Sequence, residues 1–292
     1  MLALIAVAAL LPFQAVEAHM GTLFQIRLYA PDAQTADAAF RAAFDRVRRL
    51  DETLSDYLPG SELNRLCRAP AGTAVPVSDD LFRVLAASQE LAKRSHGAFD
   101  ITVGRLTRIW REARKQGRMP DPAAIEDALA HTGYSHLHLD QRRRTARLDM
   151  AGIQLDAGAI GKGDAADQAL DAITRMGIRS ALVAASGDLA FSDPPPGQRG
   201  WKIGLDDGSR ELSNCAVSTS GDSEQHLDFG GRRYSHIIDP RTGQGLTGNA
   251  RVTVIAPRGI VSDGLSTAIS VLGARRGARL AKKYSGAWAT VS

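Results

Sequence analysis

The stretch Tyr234-Ser235-His236-Ile237-Ile238-Asp239-Pro240-Arg241-Thr242-Gly243 carries a single histidine, two isoleucines and then a rigid turn. Its pattern predicts a strand over 232–238 and a turn over 239–243, where Asp-Pro and Thr-Gly pairs end the strand. A histidine beside the end of a strand is well placed for proton transfer. A histidine that only packs or pairs strands is the plainer interpretation of this segment alone. The rest of the chain must decide between them.

The composition is that of a globular protein. The 292 residues are 44% hydrophobic and 23% charged, enough for one large domain or two small ones. The formal charge of +4 is mildly basic, and the one dense arginine cluster, within 142–147, is predicted to be a hairpin turn. No aromatic residues interleave with it, which argues against nucleic-acid binding. Cys67 and Cys215 fit neither a metal site nor a disulfide framework, and whether they pair is left open.

The start of the chain resembles a secretory signal. An apolar run from Leu2 to Leu11 is too short for an ordinary membrane-spanning helix, and Ala15-Val16-Glu17-Ala18 offers a small-residue cleavage site. We therefore predict a signal peptide over 1–18, a mature chain over 19–292 and export, with a periplasmic location. The alternatives are a buried N-terminal strand or a truncated start, since the first residues lack Lys and Arg. No other segment is apolar enough for a membrane helix.

Helices and strands alternate irregularly, which predicts an α+β fold with largely antiparallel sheets. Thr22 to Tyr29 alternates as a half-buried strand, and Asp32 precedes an amphipathic helix running to Leu50. Ser78 is expected to cap a second helix, closed by Gly97. The remaining expectations are a polar loop over 55–64, a hairpin over 137–148, a helix over 163–176, strands over 181–185, 201–205, 216–219 and 252–256, a helix capped by Ser262, and a final helix and strand.

The helix after Ser262 carries a second pattern besides its buried face. Asp263, Thr267 and Ser270 recur at i, i+4 and i+7 and so share one side of the helix. A carboxylate and a hydroxyl one turn apart can offer two hard oxygens to Mg²⁺. Alternatively, Asp263 only complements the helix dipole and Thr267 faces solvent.

A glycine-rich turn, Asp156-Ala157-Gly158-Ala159-Ile160-Gly161-Lys162-Gly163, leads into the helix predicted over 163–176. Its glycines permit close backbone approach, and the N–H groups that follow suit a phosphate. Its spacing matches neither a Walker A loop nor a dinucleotide-binding G-x-G-x-x-G. A plain helix–strand corner remains the alternative.

Taken together, these stretches resemble the flavin transferases of the ApbE type, the FAD:protein FMN transferases. The resemblance covers residues 20 to about 272. It rests on these pieces, in family order: Met20-Gly21-Thr22; Ser55-Asp56-Tyr57 with Ser61-Glu62-Leu63-Asn64; Gly97 to Gly104; Asp156 to Gly163; Ser186-Gly187-Asp188; Thr219-Ser220-Gly221; His236 to Gly243; and Asp263 with Thr267. Where family members usually read Gly-Gly-Asp, this chain has Ser186-Gly187-Asp188.

The resemblance implies an activity and roles for individual residues. Such enzymes split FAD and, with Mg²⁺, join its FMN part to a threonine (or serine) hydroxyl of an acceptor redox protein, releasing AMP. His236 would be the catalytic base, because a threonine hydroxyl is a poor nucleophile at neutral pH. Asp263, Thr267 and the backbone carbonyl of Ala159 would hold Mg²⁺, which offsets charge on the phosphoryl oxygens.

The resemblance also implies a fold and a binding site. We expect a single α+β domain of two packed subdomains, mainly antiparallel sheets flanked by helices, with FAD in the cleft between them. The implied FAD contacts are Met20, Tyr57, Ala98, Phe99, Asp100, Asp156, Lys162 and Ile238. Two alternatives stay open: a Mg²⁺-dependent FAD pyrophosphatase giving FMN and AMP, and a non-catalytic FAD-binding protein. The sequence does not identify the acceptor.

Overall fold

The computed structural model describes residues 9–205, 208–221, 225–248 and 250–292. Its helices are α1 (Ala33–Leu54), α2 (Glu62–Cys67), α3 (Asp79–Ser95), α4 (Gly104–Gln116), α5 (Pro122–Ala130), α6 (Gly161–Arg175) and α7 (Gly259–Ala281). Its strands are β1 (Leu11–His19), β2 (Thr22–Ala30), β3 (Val75–Pro76), β4 (Leu137–Asp140), β5 (Thr145–Leu148), β6 (Ala181–Ala185), β7 (Asp188–Phe191), β8 (Trp201–Leu205), β9 (Gly208–Leu212), β10 (Cys215–Ser220), β11 (His226–Phe229), β12 (Arg232–Ser235), β13 (Ile238–Asp239), β14 (Gln244–Gly245), β15 (Val252–Ala256) and β16 (Trp288–Val291).

One antiparallel sheet of seven strands forms the centre of the protein, in the order β1-β2-β6-β7-β10-β15-β16. Helices α1, α6 and α7 pack together, and α6 and α7 also contact its strands. The opposite side is covered by the β8–β9 hairpin, whose Trp201 packs with Phe191 and Tyr29. The remaining strands pair in small antiparallel sheets, β3-β5-β4, β11-β12 and β13-β14. The predicted α+β class is confirmed.

A second, smaller core forms around Trp110 on α4. Leu106 and Trp110 pack against Ile125 of α5, Leu227 of β11 and Ile238 of β13. The indole N–H of Trp110 donates to the carbonyl of Gly243 at 2.8 Å. Since Gly243 ends the turn that follows His236, this core fixes the histidine segment to α4.

Local capping explains the helices that the sequence predicts well. Asp32 accepts a hydrogen bond from the Thr35 N–H at 2.7 Å and starts α1. Ser78 does the same for α3 through the Leu81 N–H at 3.2 Å. The last turn of α3 ends at His96 and Gly97, which both have positive φ. Both helices bury the apolar stripe expected from their periodicity.

Several expectations are wrong in detail. The predicted polar loop over 55–64 runs into helix α2, which Ser61 caps. The strand predicted over 232–238 is interrupted, because β12 ends at Ser235 and β13 begins at Ile238. Helix α7 begins at Gly259, so that Ser262 lies inside the helix instead of capping it. Helices α4 and α5 were not expected at all.

The N-terminal segment forms an edge strand. Most of the run from Leu2 to Leu11 lies outside the described residues, but Leu11–His19 pairs along its length with β2. Cleavage after Ala18 would remove nearly all of β1. The signal peptide stays a prediction.

The two cysteines do not pair. Cys67 and Cys215 are free thiols. Cys67 packs against the main core, and its sulfur accepts the Leu155 N–H at 3.3 Å, whereas Cys215 packs in the cluster around Trp201. Within the part of the chain that the structure describes, no helix is long and apolar enough to span a membrane.

A chain of ion pairs joins α1, α3 and α6 at the edge of the main core. Arg46 of α1 binds the carboxylate of Asp80, which also accepts from Arg83 at 2.8 Å. Hydrogen bonding by Arg46 is the main reason that the pKa of Asp80 falls to about 2. Because that pKa is below its usual value near 4, the pair stabilises the fold above about pH 4 and loses this contribution as the pH falls toward 2.

Arg83 also binds Asp164 of α6 in a bidentate pair, with distances of 2.8 and 2.7 Å. Asp164 is buried, with a side chain only 1% exposed. The substitution Arg83→Met leaves this carboxylate buried without its partner. We expect it to lower the free energy of unfolding by about 3 kcal/mol, measured by urea denaturation.

The matched control is Arg48→Met. Arg48 is half exposed, and its ion pairs within the described part of the chain are with Asp45 and Glu52 on its own helix. It should change the free energy of unfolding by less than about 1 kcal/mol. Equal effects of the two substitutions would contradict a stabilising role for the buried pair.

Candidate functional site

The glycine-rich turn before α6 is held by Asp156, which is buried. Its carboxylate accepts hydrogen bonds from the Gly158 N–H at 2.7 Å, the Thr107 hydroxyl at 2.7 Å and the Arg111 guanidinium at 2.8 Å. The Asp156 N–H donates to Ile101 at 2.8 Å. Asp156 therefore sets the shape of the turn that leads to the N-terminus of α6, with Ala159 lying directly before it.

Lys162, in the first turn of α6, lies between two buried carboxylates. Its Nζ is 3.3 Å from Asp188 and donates to the Gly158 carbonyl at 3.2 Å. The charge of Asp263, followed by that of Asp188, raises the pKa of Lys162, so the amine stays charged. Asp188 ends the Ser186-Gly187-Asp188 segment, in which Ser186 takes a positive φ of 56° where the family usually has glycine.

Asp263 faces this cluster from the start of α7. Its carboxylate accepts the Gly163 N–H at 2.9 Å across the α6–α7 contact. Burial, and then the like charge of Asp188, raise the pKa of Asp263 to about 7, while Lys162 acts in the opposite direction. Two buried acids thus share one lysine.

The two helices meet backbone to backbone at this point. A Cβ at Gly163 would overlap the carbonyl oxygen of Gly259 and lie 2.6 Å from the Cβ of Asp263. Asp167 of α6 accepts from the Gly259 and Ile260 N–H groups at 2.7 and 3.0 Å. A side chain of α6 therefore caps α7, which explains why α7 starts before Ser262.

Two adjacent rows of side chains along α7 make different contacts. Ser262 and Ser266, one turn apart, bond to Ser218 and Ser220 of β10 at 2.8 and 2.6 Å. These bonds fix the rotation of the helix. Asp263, and Thr267 one turn later, occupy the adjacent stripe, where Asp263 faces the turn before α6. Thr267 is half-buried.

His236 lies exposed between β12 and β13. Its ring Nδ1 is 3.2 Å from the Gln225 carbonyl oxygen. A carbonyl can only accept, so this contact requires a proton on Nδ1. The next residue, Ile237, packs against Ala98 and against Val271, which lies one turn beyond Thr267 on α7. The histidine segment therefore contacts the helix that carries Asp263.

The other residues predicted to contact FAD differ in how accessible they are. Met20 has a positive φ of 50°, and its backbone N–H donates to Asp51 at 3.0 Å. Its Cε would lie 3.6 Å from a Cβ at Gly161, so it borders the start of α6. Tyr57 is 70% exposed, with the Arg111 guanidinium 4.4 Å from the ring centroid.

The segment from Ala98 to Asp100 and the side chain of Ile238 are buried. Asp100 accepts from the Thr102 N–H and hydroxyl at 2.8 and 2.7 Å and from the Tyr134 N–H at 2.6 Å. Both carboxylate oxygens are thus used within the protein. Ile238 packs into the Trp110 core. The side chains of Asp100 and Ile238 are therefore occupied within the fold.

Arg111 and Thr107 were missed because α4 was not expected. Arg111 bridges the carboxylates of Asp56 and Asp156 and covers one face of Tyr57. The sequence signal that could have identified this helix is the spacing of its apolar residues at i, i+4 and i+7, namely Leu106, Trp110 and Ala113, which the structure buries. Asp188 was noticed only as part of a family motif.

Among the described residues there is no group of three or more His, Cys, Asp or Glu side chains that could hold a metal ion. The oxygens predicted for Mg²⁺ are of another kind, namely one carboxylate, one hydroxyl and one backbone carbonyl. Such oxygens suit a hard cation.

Comparisons with known proteins identify relatives of this chain over nearly its whole length. The sequence profile of the ApbE family matches residues 20–291. The FAD:protein FMN transferase of Treponema pallidum is 32% identical over 92% of this chain and 81% of its own length.

Solved structures are similar as well. The apo Pseudomonas stutzeri flavinyl transferase ApbE superimposes with a TM-score of 0.84 at 31% identity, over 96% of this chain and 90% of that one. The Thermotoga maritima ApbE protein gives a TM-score of 0.84 at 29% identity, over 96% of this chain and 94% of its own. The fold predicted from the resemblance is confirmed.

The contact between α6 and α7 generates a prediction. Gly163→Ala inserts a methyl group into the Gly259 backbone and should lower the free energy of unfolding by about 1–3 kcal/mol, because packed helices must separate. Urea denaturation measures this change. Gly204→Ala is the control, since a Cβ at Gly204 meets nothing within 4 Å. An unchanged Gly163→Ala protein would refute the close contact.

Proposed function

This chain belongs to the ApbE family, and on that premise we propose that it is an FAD:protein FMN transferase. It transfers FMN from FAD to a threonine (or serine) hydroxyl of an acceptor redox protein and releases AMP. The observation that carries the proposal is the charged cluster at the start of α6, where Lys162 lies beside the buried carboxylates of Asp188 and Asp263. A lysine beside carboxylates that could hold a divalent cation suits a diphosphate.

We propose His236 as the general base. Its ring is oriented by the contact of Nδ1 with the Gln225 carbonyl, and the residue is exposed, so the hydroxyl of a docked acceptor can reach it. Removing the proton as the hydroxyl attacks phosphorus turns a weak nucleophile into an effective one. Contact of Ile237 with α7 supports a position near Asp263.

We propose that Asp263, Thr267 and the Ala159 carbonyl hold Mg²⁺. The like charges of the two buried acids Asp188 and Asp263 repel each other, and a divalent cation would offset this repulsion. When bound, the cation supplies charge stabilisation to the phosphoryl oxygens. Lys162, fixed by Asp188 and Gly158, remains charged for the same purpose.

We propose that the flavin contacts Met20 and Tyr57. Arg111 holds one face of the Tyr57 ring, and the ring is mostly exposed, which supports stacking of an isoalloxazine on its open face. Asp156 is held by three donors and would present its remaining lone pairs to a ribityl or ribose hydroxyl. Ala98 to Asp100 and Ile238 would contribute backbone.

Hydrolysis is the second candidate, because the exposure of His236 admits water as readily as an acceptor hydroxyl. The product then is free FMN with AMP. A non-catalytic FAD-binding protein would not need the cluster of Lys162, Asp188 and Asp263.

One experiment separates these functions. The protein is incubated with FAD and Mg²⁺, with and without a redox-protein domain carrying the target threonine, and AMP and protein-bound flavin are measured. We expect AMP together with a covalently fluorescent acceptor, and loss of both when EDTA removes the metal. AMP with free FMN indicates hydrolysis, and no AMP indicates a binding protein.

In the same assay, His236→Ala should bind FAD normally but lower the rate of transfer by about 10²–10⁴, the usual contribution of a general base. His138→Ala is the control, because His138 is half-exposed on β4 and, among the described residues, its ring pairs with Asp149 just after β5. Near-normal transfer by His236→Ala would exclude the base.

We also propose that the protein is exported to the periplasm, on the basis of the apolar run from Leu2 to Leu11 and the small residues up to Ala18. Full-length protein expressed in a bacterium should appear in the periplasmic fraction with a mass that lacks residues 1–18. Recovery of the uncut chain from the cytosol alone would contradict export.

A further inference from the structure

We propose that the acceptor protein docks through an acidic segment in an arginine-lined groove beside Tyr57. This groove, the arginine groove, is lined by Asp56, Tyr57, Asn64, Arg68, Arg108 and Gln154 among others. The inference rests on the proposed transfer function, because only a transferase needs an acceptor protein. The inference extends that function by naming the surface on which the acceptor protein docks and the acidic character of the segment that binds there.

The groove has the size and position for a short stretch of chain. Its volume is about 320 Å³, at the lower end of ligand pockets and suited to one or two side chains. Helix α2, helix α4 and residues 152–154 form its walls. Tyr57 lies on its border, so a segment in the groove would lie next to a flavin stacked on that ring.

Arg68 and Arg108 line the groove, Arg65 and Arg114 lie on the same two helices, and none of the four has an acidic partner among the described residues. Arg65 and Arg68 of α2 donate to the carbonyls of Gly60 and Pro59. Arg108 and Arg114 of α4 have no carboxylate partner among the described residues. Burial and the charge of Arg111 lower the pKa of Arg114, which also interacts with Tyr57.

The few acids nearby do not neutralise this charge. Asp56 is paired with Arg111. The one carboxylate of α4, Glu112, accepts a hydrogen bond from Gln116. By contrast, Arg46, Arg83 and Arg258 each face at least one carboxylate. Unpaired arginines around a groove favour a partner of opposite charge.

The groove is separate from the charged cluster at the start of α6, because neither Lys162 nor Gly158 lines it. Arg68 and Arg108 line the groove and are exposed. Carboxylates of an acceptor segment would pair with these two guanidinium groups.

Direct binding tests the proposal without needing the natural acceptor. Two fluorescein-labelled peptides of equal length carry one central threonine, flanked by glutamates in one and by glutamines in the other. By fluorescence anisotropy at low salt, the wild-type protein should bind the glutamate peptide at least about tenfold more tightly. This preference should shrink at about 0.15 M salt, where exposed charges are screened.

The double substitution Arg68→Glu/Arg108→Glu should abolish the preference. Arg142→Glu/Arg143→Glu is the matched control. These two arginines are exposed at the turn of the β4–β5 hairpin, and neither lines the arginine groove. This control should bind both peptides like the wild type. Equal binding of the two peptides to the wild type, or an unchanged preference in Arg68→Glu/Arg108→Glu, would overturn the proposal.

Measuring the Kd for FAD in the same proteins tests whether the nucleotide, and not the acceptor, occupies the arginine groove. The Kd for FAD should stay within about twofold in both double variants, since only rim charges of the peptide site change. Loss of FAD binding in Arg68→Glu/Arg108→Glu alone would assign the groove to the nucleotide and overturn the proposal. Peptide binding needs no chemistry, so absence of FMN transfer together with charge-selective binding would refute the proposed function and leave the docking surface intact.

Discussion

The contact between Gly163 and Gly259 is the constraint on which the site depends. Because neither residue has a side chain, α6 and α7 approach until their backbones touch. This distance lets the Gly163 N–H reach Asp263 and lets Asp167 reach the first N–H groups of α7. The charged cluster therefore depends on the close packing of these two helices. A larger residue at either position would move Asp263 away from α6 and Asp167 away from the start of α7.

Helix α4 plays the corresponding part on the other side of the site. Thr107 and Arg111 hold Asp156, while Trp110, on a different face, holds the turn after His236 through Gly243. One rigid element thus sets both the glycine-rich turn and the histidine segment. Its outer surface supplies Arg108 to the arginine groove. The proposed binding of nucleotide and acceptor would therefore be coordinated by a single helix.

The sequence predicts those features that depend on neighbouring residues. Asp32 and Ser78 start α1 and α3 through side chains that cap their own helices, so their patterns are visible locally. Helix α7 could not be placed in this way, because its cap comes from Asp167. The break at His236 also follows from tertiary contacts, since Ile237 and Ile238 pack into two different cores. From the sequence pattern alone, residues 232–238 are predicted to form one strand.

The same distinction applies to the site. The spacing of Asp263 and Thr267 indicates that they share a helix face, and the resemblance to a family named His236 and Lys162. Neither indicates Arg111, whose role depends on bringing Asp56 and Asp156 together across the fold. Nor does the sequence show that Asp188 and Asp263 compete for one lysine. Burial and long-range contact create these properties.

The capping of α7 by Asp167 ties the start of one helix to the position of another. The carboxylate that accepts from the Gly259 N–H lies 92 residues away in the sequence, so the first turn of α7 depends on tertiary structure for this partner. The same contact joins the Gly163 N–H to Asp263. Fraying of the first turn of α7 would therefore also displace Asp263 from the start of α6.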